Sequence, residues 1–174
     1  EPAVRRVSLN ITGVEKELYR NVIAHLGLSE VASQKHRVSE RAARRLYDRS
    51  AGEIELALQV YGYYEPKIQR QFTASEQWQV SITISPGPRT RLRNVSIELY
   101  GEGRGNKDLA ALIDGSLLRQ GAPLRHGDYS DFKSALEQAA YRIGYLDVQY
   151  KTQKITVYPS IRAADIALHL DTGP

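Results

Sequence analysis

The stretch RRVSLNITG, Arg5–Gly13, returns in altered form as RNVSIELYG, Arg93–Gly101. In the first copy Val7, Leu9 and Ile11 alternate with polar residues, and the second copy repeats this alternation. A period of two over this length indicates a half-buried β-strand, because successive side chains of a strand point to opposite faces. Each copy therefore opens with a strand, and the recurrence predicts a fold built from an internal repeat.

Two more segments recur in the same order along the chain. A glycine-tyrosine motif, GYYE, begins at Gly62 and returns as GYLD at Gly144. Another alternating segment ends in PGP in the first copy and in TGP in the second. We interpret the protein as two copies of one unit, residues 1–88 and 89–174.

Between the first strand and the glycine-tyrosine motif, each copy carries two segments with helical periodicity. The first is predicted near 17–28 in copy one and near 107–118 in copy two. The second is longer and places its apolar residues on one face of a helix. These residues are Ala43, Tyr47, Ile54, Leu58 and Tyr61 in copy one, and Tyr129, Phe132, Leu136, Ala140 and Ile143 in copy two. A second strand is predicted near 66–74 and 148–157, before the third, alternating strand.

The order strand, helix, helix, strand, strand determines the topology of each unit. The two helices return the chain, so that the third strand runs parallel to the first and antiparallel to the second. This predicts an α+β fold of two tandem β-α-α-β-β units, each a three-stranded mixed sheet of order 1-3-2 covered by two helices. The second strand is then an open edge, which agrees with its lysines, because charges on an edge discourage unwanted pairing.

The composition is that of a globular protein and excludes several kinds of site. The 174 residues carry 24 Lys and Arg against 20 Asp and Glu, a net charge of +4. This excess is small, and no nucleic-acid partner is predicted. Cysteine is absent, which excludes disulfides, thiolate metal sites and a cysteine nucleophile. Methionine is absent too, so we expect either a removed leader or an excised fragment.

No residue pattern points to catalysis. The four histidines are scattered, and the sequence lacks HExxH, GxSxG and the GK[ST] ending of a phosphate loop. The glycine-rich GEGRGNK, Gly101–Lys107, lies between a predicted strand and helix, where a phosphate loop would lie. It lacks the third glycine of GxGxxG and is interpreted as a flexible turn. We predict a protein that is not an enzyme, with no catalytic residues, cofactor or metal.

A basic stretch on the long helix of copy one leaves two interpretations open. Arg41, Arg45 and Arg49 recur at helical spacing on the face opposite the apolar residues. One interpretation is a patch that binds phosphate groups or another anionic surface. The other is a solvated outer face, on which Arg44 pairs with Asp48 and Arg49 pairs with Glu53.

The repeat and its motifs together resemble POTRA domains of outer-membrane assembly proteins. The segment LRHGDYSDFKSAL at 124–136, with RIGYLD at 142–147, is similar to the second POTRA domain of the TamA family. The segment GYYEP at 62–66 resembles the first domain of that family, and an arm of the related BamA type is the alternative. The resemblance implies a periplasmic arm, attached to a Gram-negative outer membrane through a C-terminal barrel that this sequence lacks. It also implies a role in outer-membrane protein insertion, autotransporter secretion or lipid transport.

The resemblance further implies partners. These are a TamB-like protein anchored in the inner membrane, unfolded segments of outer-membrane proteins, and the protein's own barrel. Together with the predicted open edges, it suggests that partners bind by adding a strand to a sheet. The candidate binding residues are Lys67, Ile68, Gln69, Arg70, Gln71 and Phe72 in copy one, and Val148, Tyr150 and Thr152 in copy two. Because copy two ends in the same frame as copy one, a further unit is expected after Pro174.

Overall fold

Seven strands and five α-helices form residues 2–174, the part of the chain that the computed structural model describes. The chain divides into two units, Glu1–Pro88 and Arg89–Pro174. Unit 1 contains β1 (Val4–Thr12), α1 (Lys16–His25), α2 (Gly27–Gln34), β2 (Arg37–Ser39), α3 (Glu40–Gln59), β3 (Lys67–Ala74) and β4 (Trp78–Ser85). Unit 2 contains β5 (Arg91–Tyr100), α4 (Lys107–Asp114), α5 (His126–Ile143), β6 (Gln149–Tyr158) and β7 (Ala163–Asp171).

Each unit is built on a mixed sheet whose central strand is the last strand of the unit. In unit 1, β4 runs parallel to β1 and antiparallel to β3. In unit 2, β7 runs parallel to β5 and antiparallel to β6. The α+β class is confirmed, and the three long strands of each unit lie in the predicted order 1-3-2.

Unit 1 is more elaborate than predicted. Its sheet has a fourth strand, β2, which pairs antiparallel with Val4–Arg6 of β1. The single helix predicted near 17–28 is wrong, because the chain becomes extended at Leu26 and α2 follows. Leu26 and Leu28 are both buried. Residues two apart point in different directions on a helix, so one straight helix would not bury both.

The core of each unit lies between the sheet and its long helix. Along β4, Trp78, Val80, Ile82 and Ile84 are buried and alternate with exposed polar residues, as the period of two predicts. The predicted apolar face of α3 supplies Ala43, Ile54 and Leu58 to this core. In unit 2 the same layers are formed by buried residues of α5 and β7; these are Phe132, Leu136, Ala140, Ile166, Leu168 and Leu170.

The glycine-rich turn of unit 2 is held by hydrogen bonds to neighbouring residues of the same unit. A 3₁₀ turn, Glu102–Gly105, leads into α4, and the Asn106 side chain caps that helix by accepting from the N–H groups of Asp108 and Leu109. The buried Thr172 hydroxyl accepts from the N–H of Gly103 at 2.8 Å and donates to the Tyr100 carbonyl at 3.1 Å. The N–H groups of Gly103, Asp108 and Leu109 are therefore already engaged in internal hydrogen bonds, for which a phosphate would have to compete.

Replacing Gly13 by alanine will destabilise unit 1. Gly13 has a φ of +94°, and a Cβ atom there would lie 1.9 Å from the carbonyl oxygen of Ile84. We expect the free energy of unfolding to fall by about 3 kcal/mol or more. Urea unfolding followed by the fluorescence of Trp78, the one tryptophan of the chain, measures this. The control is Gly52→Ala on α3, where a Cβ meets no atom within 4 Å, and which should gain about 0.5–1 kcal/mol.

Replacing Thr172 by valine will weaken unit 2. The shape is kept, but the Gly103 N–H loses its acceptor in a buried position, which costs about 1–3 kcal/mol. Thr172→Ser keeps the hydroxyl and should lose clearly less. Unfolding in urea, followed by circular dichroism, should show the change while the Trp78 transition stays in place. Equal losses in the valine and serine variants would contradict the role given to the hydroxyl.

Candidate partner-binding edges

The strand β3 forms one edge of the sheet in unit 1. All eight residues pair with β4 in one continuous register, from Lys67 opposite Ser85 to Ala74 opposite Trp78. On its other side, no strand pairs with β3 among residues 2–174. The predicted candidates Lys67–Phe72 therefore lie on a regular edge strand whose outer row of N–H and C=O groups is available to an added strand.

The two faces of β3 differ in their surroundings. Lys67, Gln69 and Gln71 are exposed, whereas Ile68, Arg70 and Phe72 are half-buried. The Arg70 guanidinium turns toward α3, donates to the carbonyl of Tyr47 and to the Ser50 hydroxyl, and lies 4.6 Å from the centroid of the Tyr47 ring. Arg70 thus fastens the edge strand to the helix, a role that its prediction as a partner-binding residue did not include.

Aromatic packing on the inner face of β3 adds to the contact between the edge strand and α3. The Phe72 ring packs edge-on against Tyr47 at 5.7 Å and is stacked with Trp78 at 6.1 Å between centroids. The guanidinium groups of Arg44 and Arg5 lie over Phe72 and Trp78, at 4.5 and 4.6 Å. Each such cation–π contact contributes about 0.5–1 kcal/mol at an exposed site. The edge strand is therefore held in place from its inner face.

The corresponding strand of unit 2, β6, is also an edge but an irregular one. It pairs with β7 alone among the described residues, and the register shifts between Tyr150 and Thr152. The Tyr150 hydroxyl donates to the Lys133 carbonyl at 2.7 Å, and burial raises the pKa of this tyrosine. Val148 is buried and precedes the strand. Tyr150 is thus turned toward α5, much as Arg70 is turned toward α3.

The arginines of α3 divide between two surroundings. Arg41, Arg45 and Arg49 are exposed. Arg41 and Arg45 line a cavity of about 740 Å³ whose wall includes Trp78, and Arg49 does not line it. Arg49 forms the predicted ion pair with Glu53 at 3.5 Å. Arg44 pairs with Glu40 at 2.8 Å, so the predicted pair with Asp48 is wrong.

The outer face of the unit 2 sheet carries a charged pair. The Nε and Nη2 groups of Arg93 donate to the Asp165 carboxylate at 3.1 and 2.7 Å, and this hydrogen bonding lowers the pKa of the Asp165 carboxyl. Within residues 2–174, no group of three or more acidic or histidine side chains is placed to hold a metal ion. No helix in that range has the length and apolar character to cross a membrane.

Comparisons with known proteins identify the fold of the two units that carry these edges. Residues 8–86 match the family described as POTRA domain, TamA domain 1. POTRA domains 3–5 of Haemophilus influenzae BamA share 18% identity, with a TM-score of 0.51, over 98% of this chain and 66% of that chain. POTRA domains 1–3 of Omp85 from Anabaena share 12% identity, with a TM-score of 0.40, over 98% of this chain and 65% of that one. The chain therefore spans slightly less than two thirds of either structure.

The family match begins within β1 and includes the whole of β3 and β4. The likeness to the BamA domains shows that the strand order and crossovers of both units are those of the POTRA fold. The first unit therefore matches the TamA domain 1 type of POTRA domain, and the chain as a whole has the fold of tandem POTRA domains.

Proposed function

We propose that this chain is the periplasmic arm of a TamA-like outer-membrane assembly protein, and that its first unit captures a partner by strand addition to β3. The TamA-type match of residues 8–86 contains this strand. The partner is an extended segment of a TamB-like inner-membrane-anchored protein or of an unfolded outer-membrane protein. The associated processes are outer-membrane protein insertion, autotransporter secretion or lipid transport, and an arm of the BamA type is the alternative.

The regularity of β3 carries the proposal. Proteins normally blunt a long edge strand with proline, a bulge or inward charges, because an open edge invites aggregation. β3 has eight residues without proline, and its pairing with β4 has no register shift. Its one inward charge, Arg70, is bonded to α3 and does not interrupt this pairing. β6 is interrupted by a register shift and carries Lys151 and Lys154 on its exposed face. Unit 1 is therefore the better template for a partner strand.

The exposed side chains of β3 fit a binding site that accepts varied sequences. Gln69 and Gln71 are neutral and polar, and Lys67 supplies a charge only at the end of the strand. Strand addition draws its affinity from main-chain hydrogen bonds, which every partner segment offers. Specificity then comes from the alternate side chains that contact the edge. Such a site suits an assembly factor with several clients.

A second candidate rests on the cavity beside Trp78. Arg41 and Arg45 line it together with Glu40 and Asp48, so its charge is mixed rather than uniformly positive. Phosphate or anionic-surface binding at Arg41, Arg45 and Arg49 would weaken steeply as salt is raised. Strand addition through main-chain bonds would persist between about 50 and 500 mM salt, because its contacts are uncharged. A salt titration of partner binding separates the two functions.

Proline substitution in β3 tests the proposal. Of two adjacent residues in an antiparallel strand, one directs its N–H to the paired strand and the other to the open edge. Ile68→Pro and Gln69→Pro therefore include one variant that loses a bond to β4 and one that loses an edge donor. Trp78 fluorescence in urea identifies the variant that keeps its stability. That variant should bind a purified TamB-like partner at least about tenfold more weakly.

The matched controls are Gln153→Pro and Lys154→Pro, two adjacent substitutions in the edge strand β6. The more stable of these two variants should bind the partner as the parent does. If the stable β3 variant binds the partner as strongly as the parent does, β3 is excluded as the capture edge. The same holds if only the β6 variant loses binding.

A further inference from the structure

The opposite edge of the unit 2 sheet, β5, is covered over only part of its length. The segment 121–124 bonds to its first residues: the N–H of Leu92 donates to the Ala122 carbonyl at 2.8 Å, and the N–H of Gly121 donates to the Leu92 carbonyl at 2.7 Å. Beyond Leu92, no strand pairs with this side of β5 anywhere in residues 2–174. The first residues of β5 are thus covered by the segment 121–124, whereas the stretch 94–99 is an open edge among the described residues.

Unit 1 shows what a protected version of this edge looks like. There β2 pairs with the first residues of β1, and α2 packs alongside the same strand. Unit 2 has no helix in the position of α2, because α4 is followed directly by the loop that contains 115–125. Two copies of one fold therefore differ in this respect, and the difference leaves β5 accessible.

A groove replaces the missing helix. Two cavities, of about 460 and 530 Å³, lie along β5, and both are lined by Ile97 and Ile113. The two cavities adjoin at these residues and are together called the groove, with β5 on one side and α4 and the residues after it on the other. Ile97 and Ile113 are half-buried. The groove thus combines an apolar floor with the unpaired main chain of a strand, the two elements of a strand-addition site.

The charges at the two ends of the groove differ in sign. Arg119 and Arg93 line the end near the start of β5, and Arg93 is neutralised by Asp165 at 2.7 Å. Glu98 and Asp114 line the other end together with Arg104. One end therefore carries a net positive charge and the other a net negative charge. An extended segment fits best with an acidic residue beside Arg119 and a basic residue beside Asp114.

We propose that the groove between β5 and α4 is a second, separate peptide-binding edge. Its occupant is an extended segment of alternating apolar and polar residues, with opposite charges at its two ends. The apolar side chains contact Ile97 and Ile113, and the main chain pairs antiparallel with 94–99. The amino end of the segment then lies beside Asp114 and its carboxyl end beside Arg119. This site lies on a different edge and a different unit from β3, so either assignment can fail without the other.

Two labelled synthetic peptides test the site on the 174-residue chain. Each alternates valine and threonine over eight residues; one has lysine at its amino end and glutamate at its carboxyl end, and the other has these two exchanged. Fluorescence anisotropy measures binding. The test variant is Ala110→Trp, which fills the groove, because Ala110 is exposed and lines it. The control is Ala111→Trp, because the neighbouring Ala111 is also exposed but does not line the groove. Ala110→Trp should weaken binding at least about tenfold, and Ala111→Trp should leave it unchanged.

Charge and backbone supply two further measurements. Asp114→Lys should shift the preference between the two peptides by about threefold toward the exchanged one, as expected for an exposed ion pair. Bound peptide should slow amide hydrogen exchange at 94–99. The proposal would be overturned if the peptide slowed amide hydrogen exchange in β6 instead, or if Ala110→Trp left the affinity for the peptide unchanged. Dimerisation abolished by Ala110→Trp, without peptide binding, would overturn it too and assign the groove to a second copy of the chain.

Discussion

Parallel pairing of the first strand with the last is the constraint on which each unit depends. Parallel neighbours cannot be joined by a tight turn, so the chain must cross over between them. The crossover supplies the helices that cover one face of the sheet, and its last strand, β4 or β7, becomes the buried centre. The remaining strand can then pair only on the far side. The open edges β3 and β6 are therefore consequences of the topology.

Much of this could be predicted from the sequence because alternation and repetition are strong signals. The period of two at Val7–Ile11 and along β4 located strands whose buried faces the structure confirms. The repeat predicts two units, 1–88 and 89–174. The break at Leu26 was not predicted, because residues 17–28 continue an acceptable helical pattern. The structure shows it in the extended backbone at Leu26 and in the burial of both Leu26 and Leu28.

The candidate site was harder to predict than the fold. The sequence analysis predicts Arg70 as a partner-binding residue of the edge strand, yet it shares the inner face with Ile68 and Phe72. That parity was visible in the sequence: a charged residue between two inward apolar residues needs a partner. The partners themselves, a carbonyl on α3 and the Tyr47 ring, depend on how helix and sheet meet. The register shift in β6 likewise leaves no mark in the alternation, because it follows from pairing with β7.

The inner-face contacts of β3 bear directly on its capacity to bind. A flexible edge would have to be ordered when a partner strand docks, and that ordering opposes binding. Arg70 holds β3 to α3, and Phe72 packs between Tyr47 and Trp78. Every one of these groups lies on the face away from Gln69 and Gln71, so the strand is fixed without using its exposed side chains. The residues that stabilise unit 1 thus hold β3 in place without using its exposed side chains. Less ordering is then required when a partner strand docks, which favours the proposed strand addition.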